Sequence, residues 1–256
     1  MTPPTFLPTG LPDMRVDLPT PTSALAIAAH PDDIEFGCGA TLAKWTAAGA
    51  TCHLLVCTDG RKGTWDVDVD TDALIGRRQD EQRAAARRLG ATGEVRFLGV
   101  EDGELDHTVA HRSAVARIIR ELTPDVVLGH DPWRRWRMHP DHRAAGFLTV
   151  DGVVAARDPH YHRDHGIAHH RPSHLLLFET EEPNLCESVT GEHLEAKVQA
   201  LLAHESQFET TMVIDADDDG TQAAAFRART EGIARRHGRL AGVMFAEPFR
   251  LLDPAS

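Results

Sequence analysis

A histidine and two adjacent carboxylates follow the first apolar segment of the chain, in the sequence AHPDDIE at 29–35. Adjacent carboxylates in a cleft repel each other, and a bound cation relieves that repulsion. His30 and Asp33 are three residues apart in a turn, so both side chains can reach one ion, whereas Asp32 between them points elsewhere. The sequence therefore predicts two metal ligands and one carboxylate that stays off the metal.

A second His-Pro-Asp sequence, at 139–141, is followed directly by His142, which can supply a third ligand. Two histidines, one aspartate and a water form the open tetrahedral site expected of catalytic zinc. The same ligand types also suit Fe(II), but a free carboxylate beside the ligands favours hydrolysis over oxygenase chemistry. We therefore expect Zn²⁺ as the cofactor, with Fe²⁺ as the alternative in the cell.

The other residues of the two motifs have roles in amide hydrolysis. Zinc lowers the pKa of its bound water to about 7 and polarises a carbonyl group. Asp32 can take the proton of that water as general base, and His139 can face the developing oxyanion or protonate the leaving amine. Asp141 can hydrogen-bond His139 and set its tautomer, or it can cap the helix that follows. Either motif alone is more typical of a turn or helix start, and their pairing favours a catalytic site.

Short apolar segments alternate with amphipathic segments from residue 23 to residue 156. This alternation predicts βαβ units and hence an α/β, Rossmann-like fold with a mostly parallel sheet and helices on both faces. In such sheets, ligands collect at the carboxyl ends of the strands, where both His-Pro-Asp motifs are expected. The predicted strands are 23–29, 51–57, 95–98 and 125–129, and the predicted helices are 38–48, 73–89, 109–122 and 143–156. Beyond this core we expect strands at 173–179 and 242–247 and helices at 194–204 and 222–237.

The ends of the chain differ from this core. Residues 1–22 are rich in proline and show little periodicity, which predicts an extended N-terminal arm. We expect residues 23–256 to form a single domain, in which 23–156 is the core and 157–256 supplies substrate-side loops and a C-terminal extension over the site. The histidine-rich loop 158–174 is most typical of a solvent-exposed loop that binds metal only adventitiously, and a lid or a second metal site are the alternatives.

Composition excludes several classes of partner. The net charge of −12 disfavours binding to nucleic acid or to an anionic membrane surface. The sequence shows no signal peptide and no apolar stretch long enough to span a membrane. Three of the four cysteines lie in apolar segments, which is typical of reduced, buried thiols. We therefore expect a cytoplasmic protein that acts on a small molecule, and a homo-oligomer is compatible with the sequence.

The paired motifs resemble the LmbE/PIG-L family of zinc-dependent N-deacetylases. The resemblance is carried by AHPDDxExGCGxTLA at 29–43 and HPDH at 139–142, covers most of 23–156 and extends weakly to 245–252. It implies the same roles as the chemistry above, with His30, Asp33 and His142 as zinc ligands, Asp32 as base and His139 as the oxyanion or acid partner. It also implies an N-acylated amino sugar or glycoside as the substrate, with acetyl as the acyl group.

Three residues outside the motifs are candidates for substrate binding. Arg61 can hold substrate hydroxyls or a phosphate, although a solvated loop arginine is equally typical. Asp102 follows a predicted strand on the side of the site, where relatives of the family contact the sugar, and a simple Asp-Gly turn is the alternative. Trp136, in the sequence WRRWR, can stack on a sugar face or lie at the surface. Glu35 is either a partner of the site or a solvated acid at a helix start.

Parts of the sequence are also compatible with another amide substrate, with a non-catalytic binding protein and with a dinucleotide-binding domain. The enzyme could cleave a thiol-conjugate amide or a longer N-acyl group by the same chemistry. A non-catalytic sugar-binding or metal-binding protein on the same scaffold is disfavoured, because every expected catalytic position is filled. Gly37-Cys38-Gly39 is similar to the start of a dinucleotide-binding loop, but the third glycine that such a loop needs is absent.

Overall fold

The computed structural model describes residues 14–255 and shows one eight-stranded sheet with helices on both faces. The strands are β1 (Arg15–Val16), β2 (Ser23–Ala28), β3 (Thr51–Thr58), β4 (Val95–Val100), β5 (Val126–His130), β6 (His174–Phe178), β7 (Leu185–Ser188) and β8 (Ala246–Leu252). The α-helices are α1 (Asp33–Ala47), α2 (Thr71–Arg88), α3 (Val109–Leu122), α4 (Pro140–Arg157), α5 (Gly191–Leu201) and α6 (Thr221–Ala241).

The strand order places a crevice beside β2. The sheet runs β1-β7-β8-β6-β5-β2-β3-β4, and the five strands from β6 to β4 in this order are parallel. From β2 the chain adds β3 and β4 on one side, and it then returns to add β5 and β6 on the other side of β2. Ligands bind at the switch point between two such strands, here β2 and β5. The predicted α/β, Rossmann-like class is therefore confirmed, and its expected ligand crevice lies where β2 and β5 end.

The C-terminal part contributes more to the sheet than the sequence indicated. Strands β7 and β8 pair antiparallel with each other, and β8 also pairs antiparallel with β6. The last predicted strand, at 242–247, overlaps β8 only at residues 246 and 247, and β7 was not predicted. Two residues of the expected N-terminal arm, Arg15 and Val16, pair with β7 as an edge strand. The rest of that arm up to residue 13 lies outside the described residues.

Alternating side chains of β2 build a core on each face of the sheet. Ala24, Ala26 and Ala28 face the side covered by α1, α2 and α5, around the buried Trp45. Leu25 and Ile27 face the side covered by α3 and α4. Since successive residues of a strand point to opposite faces, a strand buried on both faces must be apolar throughout, as β2 is.

Helix α1 starts earlier than the expected residue 38 and is kinked there. Cys38 has non-helical torsions (φ −147°), which frees backbone groups on both sides of the kink. Lys197 Nζ donates to the Phe36 carbonyl at 2.8 Å, and Glu247 accepts from the backbone N–H groups of Ala40 and Thr41. An ion pair of 2.6 Å joins Lys197 to Glu247, so this pair satisfies the interrupted helix.

Gly37 lets this part of α1 lie against the end of β6. A Cβ atom at Gly37 would stand 2.5 Å from the ring of Phe178. The glycine therefore serves close contact between helix and strand rather than a phosphate loop.

Two findings bear on the environment of the protein. All four cysteines are buried free thiols, and burial raises the pKa of Cys57 to about 12, so it stays protonated. Within residues 14–255, no helix combines the length and apolar character needed to cross a membrane.

Candidate metal centre and active site

Three side chains from separate parts of the sequence meet at the switch point. His30 Nδ1 lies 3.2 Å from His142 Nε2 and 3.3 Å from Asp33 Oδ2, and Asp33 Oδ1 lies 3.4 Å from His142 Nε2. Ligand bonds of about 2.0–2.1 Å in a tetrahedral zinc site imply ligand spacings of about 3.3–3.4 Å. The spacing of these donor atoms therefore fits a small tetrahedral cation, with one vertex left for a substrate or water.

His139 also lies within ligand distance of His30 and His142. It precedes α4 as the N-cap residue, and its Nδ1 accepts the N–H of Asp141 at 3.3 Å. One of its two ring nitrogens is thus used by the backbone. Asp33 carries a charge and has a second carboxylate oxygen besides the one that accepts the backbone N–H of His30 at 2.8 Å, so it is the better third ligand.

Asp141 acts on a different histidine from the one that the sequence suggested. Its fully buried carboxylate lies 3.1 Å from His30 Nε2 and accepts from the N–H groups of Gly103 at 2.7 Å and Leu105 at 3.3 Å. The backbone N–H of Asp141, and not its carboxylate, makes the bond to the His139 ring, and the helix cap is His139 instead of Asp141. A carboxylate on the far nitrogen of a metal-binding histidine fixes its tautomer and orientation.

Asp102 contacts the same ring nitrogen of His30 as Asp141 does. Its Oδ1 is 3.2 Å from His30 Nε2, and its Oδ2 accepts the N–H of Lys62 at 3.1 Å. Both carboxylate oxygens are therefore engaged within the protein. Because Asp102 and Asp141 face Nε2, the other nitrogen of His30, Nδ1, is directed towards Asp33 and His142.

The charges of this cluster call for a cation. Burial opposes a charge on His30, yet the three carboxylates around it raise the pKa of its ring well above the usual value. Burial would raise the pKa of Asp33, but His142 and His130 hold it well below the usual value. The site therefore favours ionised carboxylates and positive partners, which is the electrostatic environment of a divalent metal.

Asp32 stays off this cluster, as expected. It is buried, has a left-handed backbone (φ 103°) and is not among the residues whose donor atoms converge on the cluster. Burial raises the pKa of Asp32 to about 7; Arg78, 3.9 Å away, opposes this rise and the charge of Asp33 adds to it. A carboxylate whose pKa is close to neutral is suited to accept and return a proton.

Sequence reasoning missed three residues that support the cluster. His130, fully buried, lies 3.3 Å from Asp33 Oδ2 and stacks on His142 with ring centroids 4.5 Å apart. Glu179 approaches His130 Nδ1 at 3.1 Å and pairs with Arg137 at 2.8 Å. His130 and Glu179 are the first polar side chains at the carboxyl ends of β5 and β6, and that position was the signal available in the sequence.

The proposed substrate residues lie in different surroundings. Trp136 is 86% exposed and lines the mouth of the site together with His139, His142 and Glu179. Arg61 lies on the loop after β3, where its Nε donates to Asp59 at 2.8 Å. The Asp59 carboxylate also accepts the N–H of Asp102, which joins this loop to the residues beneath His30.

The histidine-rich loop lies away from the site. It connects the end of α4 to the start of β6, and His170 Nε2 donates to the Pro124 carbonyl, just before β5, at 2.8 Å. These positions are at the amino ends of the parallel strands, opposite the metal cluster. Arg120 of α3 holds five carbonyl groups of this region. The alternative that this loop forms a lid is therefore wrong.

Comparisons with known proteins agree with this geometry. Residues 25–153 match the model of the PIG-L family, described as GlcNAc-PI de-N-acetylase. The chain is 33% identical over 231 residues to diacetylchitobiose deacetylase of Thermococcus kodakarensis, covering 89% of this chain and 82% of that protein. It is 35% identical over 170 residues to a 1D-myo-inositol 2-acetamido-2-deoxy-alpha-D-glucopyranoside deacetylase of Geodermatophilus obscurus, covering 56% of each.

A solved structure is similar over most of the chain. N,N'-diacetylchitobiose deacetylase from Pyrococcus horikoshii superposes with a TM-score of 0.81 at 29% identity, covering 92% of this chain and 85% of that one. The chain spans about half the length of the inositol-sugar deacetylase that it matches. With its paired motifs, its sheet order and the matches over its core, the chain belongs to the PIG-L (LmbE) family.

Proposed function

We propose that this protein hydrolyses the N-acetyl amide of a 2-acetamido sugar joined to a second ring, with Zn²⁺ as its metal. The observation that carries the proposal is the tetrahedral spacing of His30, Asp33 and His142, with a buried, unligated Asp32 beside them. The similar proteins are named as deacetylases of chitobiose and of an inositol-linked acetamido sugar, which supports this choice of substrate.

The proposed ligands of the zinc are His30 Nδ1, the Asp33 carboxylate and His142 Nε2. When bound, a zinc ion polarises the amide carbonyl and acidifies a coordinated water. Asp102 and Asp141 hold His30 from behind, and His130 holds Asp33. The protein thus fixes the orientation of its ligands before the substrate arrives.

Asp32 is the proposed general base. Its carboxylate accepts a proton from the attacking water as the C–O bond forms at the acetyl carbon. The C–N bond then breaks, and the proton held by Asp32 passes to the leaving nitrogen. The proton that remains on the new carboxylic acid passes to the amine, so that the products are acetate and the ammonium form of the amino sugar, and atoms and charges balance.

His139 is the proposed donor to the oxyanion. Burial and the nearby His30 lower the pKa of its ring, so that it is neutral at pH 7. Because Nδ1 accepts the backbone N–H of Asp141, the single proton of the neutral ring is on Nε2. That N–H can donate to the carbonyl oxygen as negative charge develops on it.

A second ring of the substrate has a cavity available. A cavity of about 600 Å³ shares Arg134, Glu179 and Glu181 with the mouth of the metal site. Phe36 and Phe226 give it apolar surface, which suits the less polar face of a sugar ring.

Two of the three predicted substrate residues keep that role in the proposal. Arg61 and Trp136 are the proposed contacts to substrate hydroxyls and to a sugar face. For Asp102 we propose the orientation of His30 instead, because both of its carboxylate oxygens are engaged. We also propose a cytoplasmic location, which the four free thiols support.

Acetate release tests this function. The zinc-loaded protein is incubated with N,N'-diacetylchitobiose, an inositol glycoside of N-acetylglucosamine, N-acetylglucosamine itself and an N-acylated thiol conjugate. We expect acetate from the two-ring sugars, less from the single sugar, and about 10²- to 10⁴-fold slower release by an Asp32→Asn control. Release from the thiol conjugate alone would contradict the proposed substrate class.

A further inference from the structure

The peptide group that precedes the base is held from both sides by one helix. Arg78 Nη2 donates to the Pro31 carbonyl at 2.7 Å, and the N–H of Asp32 donates to Gln82 Oε1 at 3.0 Å. Residues 78 and 82 are four apart on α2 and therefore share a face of that helix. The carbonyl and the N–H of a single peptide unit are thus both fixed.

This peptide group needs such support. Asp32 has φ 103° and ψ −28°, a region that residues with a Cβ atom rarely adopt. Backbone strain of this kind persists only where the surroundings enforce it. Because the strained residue is also the proposed base, the side chains that hold its backbone also affect the direction of its carboxylate.

A buried ionisable pair stands behind Gln82. Its Nε2 donates to Glu35 Oε1 at 2.7 Å, and Glu35 Oε2 lies 3.4 Å from His204 Nε2. Glu35 and His204 are both fully buried. Within residues 14–255, Glu35 Oε2 and the ring nitrogens of His204 have no hydrogen bond beyond this contact. A buried carboxylate and imidazole are costly to keep without a role, because each loses its hydration.

We propose that Gln82, Glu35 and His204 form a positioning network for Asp32. The amide of Gln82 must present its oxygen to Asp32, and Glu35 enforces this orientation by accepting from the amide nitrogen. His204, which follows α5, in turn holds the second oxygen of Glu35. This inference rests on the proposed function, since it takes Asp32 as the base.

The network answers the question that the sequence left open for Glu35. The residue is not a solvated acid at a helix start, because it lies in the interior between α1, α2 and the residue that follows α5. The network also ties the C-terminal part of the chain to the catalytic turn through one side chain.

The test compares Gln82→Met with Gln79→Met. Both substitutions preserve side-chain length on α2, but Gln79 is remote from Asp32 and contacts Arg83. We expect Gln82→Met to lower kcat about 10- to 100-fold, since small displacements of a catalytic group have effects of this order. KM and zinc affinity should stay within about twofold, because Asp33 is held separately by His30 N–H and His130.

A conservative variant separates positioning from simple packing. Glu35→Gln keeps an oxygen for the Gln82 amide and should retain kcat within a few-fold, whereas Glu35→Leu should lose as much as Gln82→Met. If Gln82→Met lowered kcat and zinc affinity and raised KM by similar factors, the proposal would be overturned in favour of a general structural role. Wild-type kcat in Gln82→Met and Glu35→Leu would overturn it as well.

Hydrogen exchange tests the network without any substrate. The amide of Asp32 should be protected in the wild-type protein and in Gln79→Met, and should exchange faster in Gln82→Met. Unchanged protection overturns the network. A wild-type protein that hydrolyses no N-acetyl sugar would refute the proposed function, and the exchange result would still decide whether Gln82 holds the turn.

Discussion

Replacing Asp141 by asparagine distinguishes two roles for this residue. The sequence allowed a hydrogen bond to His139 or a helix cap, and the structure places the carboxylate of Asp141 on His30, a proposed metal ligand. Its Oδ2 faces both His30 Nε2 and the N–H of Gly103, and its Oδ1 accepts only the more distant N–H of Leu105. An asparagine with its oxygen in the Oδ2 position keeps the first two contacts and removes the charge.

The size of the effect follows from these contacts. The N–H of Leu105 loses its acceptor, and a buried donor without a partner costs about 1–3 kcal/mol. We expect the lower part of this range for unfolding, because the lost contact is already 3.3 Å long. Loss of the charge behind a metal-binding histidine typically lowers metal affinity about 10- to 100-fold, which equals about 1.4–2.8 kcal/mol of binding free energy.

The assay measures zinc affinity by competition with a chelating dye, and kcat at saturating zinc. Asp151→Asn is the matched control, because Asp151 lies on the same helix and also contacts a histidine, His107, at 2.9 Å but near the surface. We expect the control to keep wild-type zinc affinity. Asp141→Asn should bind zinc more weakly and recover kcat to within a few-fold once zinc is saturating.

The opposite pattern would refute this reasoning. If Asp141 acted on His139, the variant would keep its zinc affinity and lose kcat at every zinc concentration. Such a result would restore the role that the sequence suggested and would remove Asp141 from the support of His30.

Three further predictions follow from the geometry. Asp32→Asn should retain stoichiometric zinc by metal analysis but lower kcat for acetate release about 10²- to 10⁴-fold, the usual contribution of a general base; wild-type kcat would exclude Asp32 as the base. Burial would raise the pKa of Glu179, but its partners His130 and Arg137 lower that pKa to about 2. The ionised carboxylate therefore stabilises the fold fully above the ordinary glutamate pKa, and this stabilisation is lost as the pH falls towards 2. Denaturation from pH 5 to pH 2 should therefore show a smaller loss of stability for Glu179→Gln than for the wild type, and equal losses would contradict the pairing. Gly37→Ala should lower the free energy of unfolding by about 1–3 kcal/mol because its Cβ meets Phe178, whereas Gly76→Ala, in open space on α2, should not; equal effects would contradict the close contact.

The parts of the site that the sequence predicted are those set by short-range geometry or by topology. His30 and Asp33 are three residues apart, so a turn alone brings them together. His142 could be added because alternating strands and helices require a parallel sheet, and parallel strands end at one edge. The expected fold class and family are confirmed on the same basis.

The parts that the sequence did not predict depend on side-chain direction and on distant pairs. Asp141 follows His139 by two residues, and only the observed side-chain direction shows that it serves His30 instead. Gln82 and His204 are separated by more than a hundred residues and meet through Glu35. Neither residue belongs to a local pattern, because one lies in a charged helix and the other after an ordinary amphipathic one.

Most of the cavity lining comes from elements that carry no proposed metal ligand, although Phe36 and Gly37 of α1 and Glu179 belong to both regions. The proposed metal ligands come from the end of β2 and the starts of α1 and α4, which two apolar cores fix on either side of the sheet. The larger cavity is lined mainly by α6 and by residues 179–181, which follow β6. Side chains of α6 can therefore change in size without moving a donor atom of the metal cluster.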